Sequence, residues 1–264
     1  MDCRALALTA LVACSVLTSP LASAAPAPAP IPPTAASEPA PARTVISVRT
    51  LTGLHWGTAG EHQVRSALSL AKLYLTDYAL RHGDGSATDL VFGERMIRHS
   101  DDAAADAVEA KYPQAIAIVA AEYGLAETRP GASWGSSTTS TADVADFLDA
   151  KQRTDATSPI LAWMATAAPR AADGTEQNWG TAALPGVQGT KWGWSDAAPP
   201  EVASASFGPG FSVAAHTAGS PEDQTADVLG ALSTVLTEGG GPVGAPAPAR
   251  PGGRSPAPVG TWSG

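Results

Sequence analysis

Only two cysteines occur in the 264 residues, Cys3 and Cys14, and both sit at the extreme N-terminus. If that segment is removed without lipidation, the remainder has no thiol, which excludes cysteine catalysis and a disulfide scaffold. The histidines, His55, His62, His82, His99 and His216, are scattered with no metal-ligand spacing, so no metal site is expected from them. Positive charge is also short: 16 Lys and Arg against 25 Asp and Glu give a net charge of -9 and a pI near 4.9. That balance argues against a nucleic-acid-binding surface. The N-terminal apolar run, Ala5 to Leu17, is too short to span a bilayer as a stable helix.

What is present divides the chain. Residues 1–25 read as an export signal, with Arg4, the apolar run and the small-residue ending Ala22-Ser23-Ala24 before Pro26. Leu11-Val12-Ala13-Cys14 offers a second possibility, a lipobox that would anchor the chain to a membrane through a lipidated Cys14. A secreted or cell-envelope location follows from either, with membrane attachment only in the second. Residues 26–42 alternate Pro and Ala and are expected to form an extended linker. Residues 239–264 are again rich in Gly, Pro and Ala, a disordered tail by composition. The domain proper is 43–238, long enough to bury a full core.

Within it, 44–49 and 53–57 read as strands, and 66–83 as one largely apolar helix ending at Gly83. Helices are expected from near Asp89, over 103–111, from Pro113 to Tyr123, over 141–150 and over 159–164. The loop Ser100-Asp101-Asp102 can cap the second of these. Three consecutive antiparallel strands, 189–194, 202–207 and 211–217, precede a terminal helix over 225–236. The expected fold is mixed α/β (α+β): an antiparallel sheet built from both chain ends and flanked by helices, plus an all-helical lobe.

The long helix carries a polar stripe, Ser69, Lys72 and Thr76, at i, i+3, i+7 spacing. A serine hydroxyl becomes a nucleophile when a neighbouring base takes its proton, and a lysine with a lowered pKa can do so. At a helix N-terminus the backbone N–H groups also favour the oxyanion of acyl transfer. Ser-x-x-Lys alone arises by chance about once in a chain of this length.

Ser69-Leu70-Ala71-Lys72, Ser100-Asp101-Asp102 and Lys191-Trp192-Gly193 stand in the order of the S-x-x-K, S-D-N and K-T-G motifs. The chain resembles the serine β-lactamase and penicillin-binding protein superfamily, and the class A β-lactamase branch most closely. The stretch 96–105 resembles the class A segment around S-D-N, while Tyr123-Gly124-Leu125, Thr128-Arg129 and Thr138-Thr139-Ser140 resemble the segments flanking its omega loop. The resemblance implies that Ser69 is the acylated nucleophile and Lys72 its proton acceptor. It implies that Ser100 relays protons to the leaving group, and that Lys191 holds Ser100 and attracts a substrate carboxylate. The N–H groups of Ser69 and Trp194 would form the oxyanion hole, with Asp102, Trp192 and Gly193 at the substrate. It implies no cofactor, a monomer, and a small-molecule or peptide substrate such as a β-lactam or a D-alanyl peptide.

Three departures qualify that likeness. Asp102 replaces an asparagine that donates to the substrate, and pairing with Lys72 is expected to raise that lysine's pKa. Trp192 replaces a small hydroxyl residue and is expected to narrow the pocket. The omega-loop stretch Ser133-Trp134-Gly135-Ser136-Ser137 has glycine where class A enzymes carry the deacylating glutamate. The leading expectation is an exported serine hydrolase that acylates at Ser69 on an amide or peptide bond and deacylates poorly. The alternatives are a true β-lactamase with another water-activating group, a non-catalytic cell-envelope binding domain, and an esterase of small acyl groups.

Overall fold

A computed structural model describes residues 40–238. The expected export signal, the lipobox around Cys14, the linker up to residue 39 and the tail 239–264 lie outside the described residues.

The sheet begins with β1 (Thr44–Thr50) and β2 (His55–Gly57) and is completed by β5 (Gly189–Trp194), β6 (Glu201–Gly208) and β7 (Phe211–Ala218). The order is β2-β1-β7-β6-β5, antiparallel throughout, with Val48 opposite Val213 and Ala205 opposite Ala214. Both ends of the described domain thus build one sheet, and β5 forms its edge among the described residues. Between them lie α1 (Ala71–His82), α2 (Ala87–Arg98), α3 (Asp102–Lys111), α4 (Ala115–Tyr123), α5 (Thr141–Thr154) and α6 (Pro159–Ala165), and α7 (Pro221–Glu238) ends the domain. A two-stranded ribbon, β3 (Arg65–Ser66) with β4 (Thr138–Thr139), was not expected from the sequence.

Side-chain alternation along the strands sorts the core into two layers. Ile46, Val48, Val213 and Ala215 face Val228, Ala231 and Leu232 of α7. Ala203, Ala205, Phe207 and Ala214 face the cluster containing Leu73, Tyr74 and Leu75 of α1 and Phe147 and Leu148 of α5. Tyr74 meets Phe147 edge to face at 5.3 Å, so the helical lobe is locked through α1. Ala40 is already packed against the α7 layer, which extends the ordered domain before its expected start at residue 43.

The ends of the domain are clasped. Arg43 pairs with Asp227 at 2.8 Å and Asp223 at 2.9 Å, and the Thr44 hydroxyl donates to Asp227 at 2.6 Å.

The expected single helix over 66–83 is broken. Ser66 is strand, 68–70 a single 3-10 turn, and the α-helix starts at Ala71. The cause is Leu68, whose φ of 50° is left-handed and incompatible with a continuing right-handed helix. Gly83 ends α1 in extended geometry rather than in the left-handed cap, which is found instead at Gly124 after α4.

Candidate active site

The strained turn at Leu68 sets Ser69 at the start of α1, one turn from Lys72, and the Lys72 ammonium lies 2.8 Å from Ser69 Oγ. A second strained residue, Ser100 with φ of 51°, sits between α2 and α3. Asp101 caps α3 by accepting from the Ala104 N–H at 3.1 Å and is held by Arg95, so the turn is fixed on both sides. In that conformation the Ser100 carbonyl accepts from Lys72 at 2.7 Å, and Ser100 Oγ lies 3.4 Å from the same ammonium. Lys191 of β5 completes the group by donating to Ser100 Oγ at 2.7 Å and to the Trp192 carbonyl at 2.8 Å. Non-glycine backbone in the left-handed region costs about 1–3 kcal/mol per residue and concentrates where function requires it.

The sequence-predicted Ser69, Lys72, Ser100 and Lys191 therefore converge. Lys72 and Lys191 are wholly buried, and Ser69 retains 9% exposure. Gly193 explains why the third segment ends in glycine: a Cβ there would stand 2.7 Å from the Ser69 nitrogen and 2.9 Å from Leu68 Cβ. The Ser195 N–H bonds back to Glu201 on β6, and pairing alternates along an antiparallel strand. Residues 190, 192 and 194 consequently turn their backbone groups to the sheet edge, which aims the Trp194 N–H beside the Ser69 turn.

Burial lowers Lys72 below the ordinary lysine value, although the Asp102 carboxylate opposes it. Asp102 does pair with Lys72, as expected, but the expected net rise does not follow, because loss of solvent outweighs one partner that is itself two-thirds exposed. Lys191 is pushed well below its ordinary value by burial and by the adjacent Lys72 ammonium. Lys72 also stands 4.4 Å above the Trp134 ring.

Trp192 is not where a pocket-narrowing residue must be. Its indole is 5% exposed, packs with Trp179 and Val202, and donates to the Trp179 carbonyl at 2.9 Å. Strand alternation accounts for this correction: Lys191 and Gly193 face the nucleophile, so Trp192 faces away.

A cleft of about 390 Å3 opens in front of Ser69, walled by Asp102, Trp134, Asp173, Trp194 and Asp196. Trp134 donates to Asp106 at 2.7 Å, while Ser133 and Ser136 close a reciprocal cap around its turn. Gly135 lies on the cleft wall. Neither nearby glutamate reaches the cleft: Glu122 pairs with Arg81 and His82, and Glu127 faces Ser140 at 3.3 Å and His62 at 3.5 Å. Asp173 and Asp196 escaped the sequence analysis, since each belongs to a polar turn of ordinary composition. Asp173 is brought in because the Ala168 and Ala172 N–H groups bond to the Arg98 and His99 carbonyls at 3.0 and 2.7 Å. Among the described residues, no group of His, Cys, Asp or Glu is arranged to hold a metal, and no helix is long and apolar enough to cross a membrane.

The fold is that of the serine β-lactamases and penicillin-binding proteins. The chain is similar to the β-lactamase from Streptomyces albus G, with a TM-score of 0.58 and 15% identity over 73% of this chain and 93% of that one. It is similar to the D-alanyl-D-alanine carboxypeptidase from Mycobacterium tuberculosis H37Rv, with a TM-score of 0.53 and 17% identity over 76% and 93%. Penicillin-binding protein D2 from Listeria monocytogenes, solved with cefotaxime bound, gives 0.52 and 18% over 78% and 98%. No protein-family model and no curated protein sequence matches the chain.

Proposed function

We propose that this chain is an exported serine acyl hydrolase of the β-lactamase and penicillin-binding type, acting on an amide, peptide or ester carbonyl and forming an acyl-enzyme at Ser69. The observation that carries it is the 2.8 Å approach of Lys72 to Ser69 Oγ, with Ser100 Oγ between Lys72 and Lys191. In acylation Ser69 Oγ bonds to the carbonyl carbon and its proton passes to the neutral Lys72 amine. The Ser69 and Trp194 N–H groups receive the oxyanion, each worth about 3 kcal/mol at the transition state. Ser100 then delivers a proton to the leaving group, and Lys191 keeps its hydroxyl aimed.

Deacylation is slow in this proposal, because the cleft wall has Gly135 where class A enzymes place a glutamate, and the remaining cleft carboxylates are aspartates on other segments. A second possibility, a binding domain without turnover, draws support from the Lys72–Asp102 pair, which ties up the candidate base and works against loss of its proton. Intact-mass spectrometry after incubation with a fluorescent penicillin and with a para-nitrophenyl ester separates these outcomes. A lasting single acyl adduct, lost in Ser69→Ala, supports the hydrolase. Rapid multiple turnover of the penicillin would overturn slow deacylation, and no adduct with either probe would favour the binding domain.

A further inference from the structure

The wall of the Ser69 cleft contains three aspartates and no lysine, arginine or histidine. Its two neighbouring lysines are wholly buried beneath it, so neither offers an ammonium for direct contact with an incoming ligand. Asp102 is occupied by Lys72. Asp173 receives the Thr175 N–H at 2.8 Å and the Trp194 indole N–H at 3.2 Å, neutral donors, and although its charge acts at longer range on the buried Lys72 and Lys191, no cation pairs with it directly among the described residues. No cation stands within ion-pair distance of Asp196 among the described residues. Trp134 and Trp194 both line the cavity, the Trp194 indole reaching Asp173 while it also packs against the Trp192 cluster, and Trp134 already carries an ammonium, that of Lys72, over its ring at 4.4 Å. Carboxylates combined with indole faces attract organic cations and repel carboxylates.

We infer that the Ser69 cleft selects acyl substrates bearing a cationic ammonium group, seated between Asp173, Asp196 and the Trp134 and Trp194 rings, and discriminates against anionic ones. This rests on Ser69 being acylated, and it names the substrate class for that site. Chemistry is unaltered: Ser69 Oγ bonds to the carbonyl carbon, its proton passes to the Lys72 amine, and the carbonyl bond to the leaving group breaks.

The test compares acylation by three para-nitrophenyl alkanoates of equal chain length, ending in trimethylammonium, tert-butyl or carboxylate, followed by para-nitrophenolate release and intact mass. The cationic ester is expected to acylate at least tenfold faster than the anionic one at low ionic strength, with the neutral ester between them. The ratio should shrink as salt screens the wall. In a variant combining Asp173→Asn and Asp196→Asn, the cationic-to-anionic ratio should approach one. Equal rates for the three esters in the wild type, or a ratio untouched by salt, would overturn the inference while leaving acylation standing. Absence of any adduct overturns the acyl-hydrolase proposal and this inference together.

Discussion

Lys72, wholly buried, is paired with Asp102, whose side chain is two-thirds exposed, so the candidate base is held by a group that solvent can reach. The carboxylate stabilises the protonated amine and therefore opposes burial. Asp102→Asn removes that opposition and lets the lysine pKa fall further. Because acylation needs the neutral amine, the rising limb of its pH profile should move to lower pH when the adjacent opposite charge is lost. Stopped-flow acylation across pH with a neutral ester checks the direction; a limb that stays put or moves to higher pH would remove Lys72 as the base.

Gly193→Ala should damage the site through contact rather than chemistry. Its Cβ would lie 2.7 Å from the Ser69 nitrogen, inside any normal separation, and must push the nucleophile turn away from β5. Displacement on the order of 1 Å costs about 100-fold in rate, and overpacking costs about 1–3 kcal/mol of stability. Acylation kinetics and urea unfolding of the one variant measure both.

Trp192→Phe should do the reverse. It deletes the hydrogen bond to the Trp179 carbonyl and leaves the acceptor buried, a loss of about 1–3 kcal/mol. Acylation of a neutral ester should stay within about twofold. A large change in acylation with unchanged stability would place the indole at the substrate after all.

His216 on β7 predicts how the fold responds to acid. It is 3% exposed, neither ring nitrogen makes a hydrogen bond, and the Glu201 carboxylate is 3.8 Å away. Burial, with the nearby Arg65 guanidinium, lowers its pKa to about 4 from 6.5. Between those values the unfolded chain binds the extra proton, so stability should fall as pH drops through 6.5 and level off below about 4. The shift corresponds to about 3 kcal/mol in total. Asp143, raised to about 6, works in the opposite sense over the same range, so the His216 contribution is read as a difference: the gap in unfolding midpoint between wild type and His216→Leu should change across that range in the direction of wild-type loss toward acid.

The elements were legible in the sequence wherever a pattern was local. The apolar α1, the glycine after α4 and the serine at the start of α5 each announce themselves within a few residues. Ser140 accepts from the Asp143 N–H at 3.0 Å, as a cap should. The ribbon of β3 and β4 was not legible, because two residues of strand carry no periodicity. Within the site, Ser69, Lys72, Ser100 and Lys191 were found from motif order, and their convergence is geometric. The side on which Trp192 falls follows from alternation relative to Gly193 once the strand is known. Asp173 and Asp196 could not be found, since their place in the cleft depends on backbone bonds made far from them in the chain.

The clasp of Arg43 and Thr44 on Asp223 and Asp227 joins the two ends of the domain, Arg43 and Asp227 lying 184 residues apart. Strand β1 has no stable neighbour on one side until β7 exists, and the outer layer over it is α7. Loops that must close over most of the chain slow folding, because their entropy is lost before their contacts are gained. In a growing chain the Ser69, Ser100 and Lys191 segments all precede α7, so the clasp between the first strand and the last helix is the last of these long-range contacts that can form.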